Sequence, residues 1–222
     1  MLPITVVPSL PAASLREIKH LCKSLKGIAR EVQIDIVDGV YVPHTSWPFT
    51  ERKGMGVFSK MQKYTQDFML EVDCMVQKPE QYLDTIAALN PKRVCIHVGS
   101  TDAYRVIIEH AYTHGYHLGF AFTNDTPLDV LDEYFDDVSY VQLMGIKEVG
   151  QQGQPFDERT LTRACALRTR FPELEIAVDG SVNATTMPRL YAAGVNRFAP
   201  GSAIAKQNDP AIAYKQLLSL VT

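Results

Sequence analysis

No run of basic residues occurs in these 222 residues: 22 Lys and Arg face 25 Asp and Glu, for a formal charge of −3. That balance removes the electrostatic footprint of a nucleic-acid binder and leaves a small molecule as the expected partner. Long apolar runs are missing too, and nothing approaches the roughly 20 residues needed to cross a bilayer. The opening segment, MLPITVVPSLPAAS, has an apolar patch without a basic leader and is broken by prolines, so it reads as a first strand, not a signal peptide. Cysteine is scarce. Cys22, Cys74, Cys95 and Cys165 stand apart with no CxxC spacing, and they read as reduced core thiols of a cytoplasmic protein. The strictly spaced catalytic signatures HExxH, GxSxG and GxxxxGK[ST] are absent. No lysine ends a strand where a Schiff base would need it; Lys147, the nearest, falls in a loop.

What is present is alternation. At 46% hydrophobic and 21% charged, the composition is that of a soluble globular chain able to bury roughly 70% of its unfolded surface. Apolar, β-branched runs at 4–7, 31–35, 69–75, 93–98, 117–122, 140–144, 175–179 and 197–199 read as strands. Amphipathic stretches at 14–26, 57–64, 80–89, 103–114, 127–135, 158–170, 185–193 and 210–220 read as helices, with start signals such as Ser14 followed by Glu17, and Pro127 after Thr126. Eight strand–helix repeats without a linker predict one α/β domain over 1–222, a (β/α)8 TIM barrel, with a doubly wound open sheet as the alternative. The number of subunits stays open, a homo-oligomer included.

In such a barrel chemistry collects where strands hand over to helices. Gln33 and Asp35 sit two apart in the second strand, so both point into the barrel from an otherwise apolar run. Glu71 and Asp73 repeat that spacing in the third, followed by Met75. The fourth strand ends in His97, the sixth in Met144, and the seventh in Asp179, Gly180 and Ser181. Asp35, Asp73 and Asp179 thus aim at one mouth, although any one aspartate could simply cap the next helix. Gly180-Ser181 and Gly201-Ser202 allow close backbone approach to a ligand, at the loops where this fold recurrently holds phosphate. The loop Val149-Gly150-Gln151-Gln152-Gly153-Gln154 reads as a lid. His110, His114 and His117 show ligand-like spacing but lie near a helix end, where a cationic His suits the dipole, and are read as structural.

In order and spacing, VVPSL, QIDIVDG, LEVDCMV, THGYHLGFAFTNDTPLDVLDEY, VDGSVN and APGSAI resemble the ribulose-phosphate 3-epimerase family over nearly the whole chain. The resemblance implies a (β/α)8 barrel that epimerises ribulose 5-phosphate and xylulose 5-phosphate, or a hexulose 6-phosphate, at C3. It assigns acid/base roles to Asp35 and Asp179 and matches Ser9, Met75 and Met144 to substrate-contacting positions. Its phosphate loops match Gly180-Ser181 and Gly201-Ser202, and its lid loop matches the segment bearing Gly150 and Gly153. The family's divalent metal is held by two histidines and two aspartates. Here Gln33 and Asp73 stand where those histidines would be, and Val37 replaces a methionine. Two arrangements answer that change. Asp35, Asp73, Asp179 and the Gln33 carbonyl form an all-oxygen site suited to Mg²⁺ or Mn²⁺ over Zn²⁺, or no metal binds and a protonated Asp73 donates alongside the Gln33 amide. The expected activity is a two-base ketose-phosphate 3-epimerase working through an enediolate. The alternative is a non-catalytic phosphosugar-binding barrel.

Overall fold

The structure, a computed structural model, describes residues 2–10, 12–150 and 153–221. Among these, nine parallel strands form one sheet: β1 (Thr5–Val6), β2 (Ser9–Leu10), β3 (Glu31–Val37), β4 (Met69–Met75), β5 (Arg93–His97), β6 (His117–Phe122), β7 (Tyr140–Met144), β8 (Glu175–Asp179) and β9 (Arg197–Ala199). The order is β1-β9-β8-β7-β6-β5-β4-β3-β2. Its two ends are halves of one extended stretch. The Val7 N–H donates to Phe198 O at 2.8 Å, laying the first half on β9, and the Gln33 N–H donates to Pro8 O at 3.0 Å, laying the second on β3. The sheet is therefore closed as a barrel. Pro8 has no N–H to continue a ladder, so the strand expected at 4–7 ends as β1 and a second, β2, follows it, which places Ser9 within a strand instead of after one.

Alternation along the strands sorts side chains to two sides. Val32, Ile34, Ile36, Val72, Ile96, Phe120, Leu143, Val178 and Phe198 face the helices and build the main core with them. The barrel interior is layered. At the strand starts Arg197 pairs with Glu31 and Glu71. Above it Cys95, Ala121, Tyr140 and Ala177 form a small apolar layer. The polar residues near the strand ends come next.

The helices are α1 (Leu15–Leu25), α2 (Gln62–Thr65), α3 (Leu83–Ala87), α4 (Tyr104–His114), α5 (Leu131–Tyr134), α6 (Arg159–Arg170), α7 (Met187–Ala192), α8 (Ser202–Ala205) and α9 (Pro210–Leu218). The start signal at Ser14 is used: its Oγ accepts from the Glu17 N–H, while Glu17 Oε2 accepts from the Ala13 N–H at 2.8 Å. Three expected helices are broken. The segment at 57–64 is mainly a 3₁₀ turn over Gly54–Met61, and 80–89 splits between Pro79–Gln81 and α3. The stretch 127–135 is two 3₁₀ turns around α5, where Asp129, Asp132, Glu133, Asp136 and Asp137 place like charges four residues apart. Cys22, Cys74 and Cys95 are buried as expected, but Cys165 is exposed on α6. Among the described residues no helix is long and apolar enough to cross a membrane.

Candidate active site

The β3–β4 register pairs Asp35 with Asp73, and β8 brings Asp179 to them across β9 and β2. One oxygen from each of the three carboxylates lies within 4.8 Å of the others, and all three residues are buried. The Ser9 hydroxyl donates to Asp35 Oδ2 at 2.7 Å. Gln33 Nε2 stands among the three, 3.1 Å from Asp35 Oδ1 and 3.4 Å from both Asp73 Oδ2 and Asp179 Oδ2. Asp73 is held further by His97 Nε2 at 2.9 Å and Gln142 Nε2 at 2.7 Å, and the Gly180 N–H donates to Asp179 Oδ1 at 2.7 Å.

Burial and proximity shape the acidity of this group. Loss of water first and the Asp73 charge second raise the Asp35 carboxyl to about 7, against the opposing bonds from Ser9 and Gln33. Asp179 is likewise held well above the ordinary carboxylate range, by burial first and by Asp35 and Asp73 second. Carboxylates this close cannot all ionise unless protons or a cation offset their charge.

Above the group opens a cavity of about 1180 Å³. Asp35 and Asp179 reach it beside Ser9, Met75 and Met144. Gly150, Gly153, Gly180, Ser181, Gly201 and Ser202 line it from the loops. Gln33, Asp73 and His97 do not: they are fully buried beneath, so His97, expected at the mouth, is a support under it. Val37, Met75, Met144 and Val149 make an apolar cluster of their own, with Tyr41 and Val42 packed against it. The loop after β7 is folded on itself by the Gln154 side chain, whose Nε2 donates to Glu148 O at 2.8 Å, and the Ser181 hydroxyl donates to Gln154 O. Gln151 and Gln152 of that loop lie outside the described residues.

Residues 5–205 match the family model described as Ribulose-phosphate 3 epimerase family. The chain belongs to the ribulose-phosphate 3-epimerase family. Curated relatives agree across their length. A protein from Schizosaccharomyces pombe named ribulose-phosphate 3-epimerase is 27% identical over 214 residues, 95% of this chain and 90% of its own. A namesake from Bacillus subtilis is 28% identical, over 93% and 94%. Solved structures share the fold at low identity. The 3-hexulose-6-phosphate synthase of Salmonella typhimurium superposes with a TM-score of 0.73 at 14% identity over 98% of both chains. The KGPDC of Streptococcus mutans gives 0.70 at 15%, over 100% of this chain and 98% of its own.

Within the family fold, the carboxylate group suits a hard divalent cation: its donors are oxygens, its negative charge is buried, and its reach fits a single ion. Gln33 offers either end of its amide, since a half-turn exchanges Oε1 for Nε2. Gln142 escaped the sequence reading. It is the single amide in Tyr140–Met144, two before Met144, the same signature that marked Gln33 before Asp35. Tyr41 and Val42 carry no such signal, because their contact depends on how the loop after β3 folds back.

Proposed function

We propose that the protein is a ketose-phosphate 3-epimerase acting on ribulose 5-phosphate and xylulose 5-phosphate or on a hexulose 6-phosphate. The observation that carries this reading is the meeting of Asp35 and Asp179 at the base of a cavity rimmed by the glycine loops. One carboxylate removes the C3 proton; the C–H electron pair becomes the C2–C3 double bond and O2 takes the negative charge. The other, as a carboxylic acid, returns a proton to the opposite face of C3, and the C2 carbonyl reforms. Such a pair must hold one proton between its members at neutral pH, and the raised values of both aspartates support that. Ser9 orients Asp35, while the backbone N–H groups of Ser181, Gly201 and Ser202 receive the phosphate; the Gly180 N–H is engaged by Asp179.

The enediolate needs positive or hydrogen-bonding neighbours. Asp35, Asp73 and Asp179 with Gln33 Oε1 would hold Mg²⁺ or Mn²⁺ in preference to Zn²⁺, and that ion would supply the charge. A metal-free arrangement is favoured by one observation, the Gln33 Nε2 placed within reach of all three carboxylates. There the Gln33 and Gln142 amides would offset the charge of the carboxylates from beneath the cavity in place of the cation. A cytoplasmic location accords with the unpaired cysteines.

Proton exchange at C3 in D₂O, followed by NMR with ribulose 5-phosphate and a hexulose 6-phosphate, tests the reading. Exchange abolished by chelator and restored by Mn²⁺ selects the cation; exchange indifferent to chelator selects the amides. No exchange under any condition overturns the epimerase and leaves a phosphosugar-binding barrel.

A further inference from the structure

A second cluster of metal-ligand side chains lies on the outer helical layer, apart from the cavity. His110 and His114, four residues apart on α4, share a face, and Asp84 of α3 meets them there. One ligand atom from each lies within 4.8 Å of the other two. His117, the third histidine of the sequence pattern, begins β6 and bonds Ser139 instead.

The ring nitrogens are arranged so that one on each histidine is held from behind. His114 Nδ1 lies 3.1 Å from His110 O, an acceptor only, so Nδ1 carries the proton and Nε2 keeps its lone pair. His110 Nδ1 lies 3.1 Å from the hydroxyl of buried Tyr116, and its Nε2 points to Asp84 Oδ1 at 3.2 Å. A tyrosine hydroxyl both donates and accepts. It therefore supports the tautomer in which His110 Nε2–H donates to Asp84 and equally the one in which Nε2 is free to ligate. The 3.2 Å between Nε2 and Oδ1 is close to the edge of about 3.4 Å that a tetrahedral zinc ion imposes on nitrogen and oxygen ligands. A hydrogen-bonded partner on the far ring nitrogen is the usual support of a ligating histidine. The exposed His114 ring is stacked on His110 with centroids 3.9 Å apart, so sharing one ion requires it to turn out of that stack, on the solvent side of α4.

We infer that Asp84, His110 and His114 form a zinc-type transition-metal site, two imidazole nitrogens and one carboxylate oxygen with a position left to water, which ties α3 to α4. Two nitrogens among the donors favour Zn²⁺ over Mg²⁺ or Mn²⁺. That separates it from the all-oxygen carboxylate group inside the barrel.

Zinc titration of the ¹⁵N-labelled protein, followed through imidazole resonances, tests this. The Nε2 signals of His110 and His114 should move together at stoichiometric zinc, and those of His20 and His44 should not. His114→Ala, a surface change, should weaken that zinc-binding event at least about tenfold, as should Asp84→Asn, with C3 proton exchange unaltered. Tyr116→Phe should weaken it without removing a ligand. Zinc binding with unchanged stoichiometry and affinity in His114→Ala, or zinc signals confined to other histidines, would overturn the site.

Discussion

At the scale of single residues the argument rests on carboxylates that share a buried space. Asp35→Asn and Asp179→Asn each remove one of two proton carriers, and each is expected to lower kcat by about two orders of magnitude or more, read by C3 exchange. The same pair governs stability. Because the folded protein raises Asp35 to about 7 and Asp179 well above its ordinary value, the fold holds protons that the unfolded chain releases near pH 4. Their contribution is therefore fully present below about pH 4 and is lost as pH rises through the folded values. In chelating buffer the wild type should lose more Tm between pH 5 and pH 8 than Asp179→Asn does, and at pH 8 the variant should be the more stable. A variant whose Tm tracks the wild type at both pH values would show that the pair carries no such repulsion. Asp73→Asn tests the partner beneath. Loss of activity that excess Mn²⁺ partly restores marks a cation ligand, and retained activity indifferent to chelator marks a hydrogen-bonding support. Gln33, Asp35 and Asp73 were legible in sequence because each interrupts an apolar strand at a two-residue spacing, and Asp179 because it ends an apolar strand just before Gly180 and Ser181. The proton shared among them was not, since it depends on distances between strands far apart in the chain.

At the scale of elements, register does what periodicity cannot. The β6–β7 register sets Gly119 beside Tyr140, and a methyl group on Gly119 would enter the Tyr140 ring. Gly119→Ala should therefore destabilise by about 1–3 kcal/mol in urea unfolding, through overpacking. The glycine of the last phosphate loop answers to a different test. A bulky residue at Gly201 should raise KM with less effect on kcat, because it obstructs phosphate and leaves the acid/base pair in place. Strands were the readable part of this chain: each of the eight expected runs coincides with a strand to within two residues, because burial on both faces leaves a dense apolar signature. The strand that went unread was β2, Ser9–Leu10, where a proline parts one stretch between two neighbours. Helices were readable where amphipathicity ran over three turns, as at α1, α4 and α6, of which α1 alone has a side-chain N-cap, and were overcalled at 127–135, where a start signal and an apolar stripe are present but repelling acids shorten the helix.

At the scale of the whole molecule, the barrel interior sets an ionic layer at the strand starts against the carboxylate layer at their ends, with Cys95, Ala121, Tyr140 and Ala177 between them. The ionic layer is a closure device. Arg197 on β9, 2% exposed, bonds Glu71 on β4 and lies 2.7 Å from Glu31 on β3, so one guanidinium spans strands that the sheet does not pair. The Tyr140 hydroxyl donates to the other oxygen of Glu71 at 2.9 Å, which extends the link to β7. A buried pair contributes little beyond what a packed apolar pair would, but breaking it leaves a charge without compensation. Arg197→Met should accordingly cost about 3–5 kcal/mol in urea unfolding. Adding Glu71→Gln should recover part of that loss, because it removes the most deeply buried of the orphaned charges, so the double-mutant cycle should show coupling between the two positions. The intervening apolar layer separates this floor from the reacting carbon. Measured at a temperature where Arg197→Met remains folded, kcat for C3 exchange should therefore stay close to that of the wild type while stability falls. A variant that kept its stability and lost its exchange activity would show instead that the floor reaches through the apolar layer to set the charge of Asp35 and Asp179.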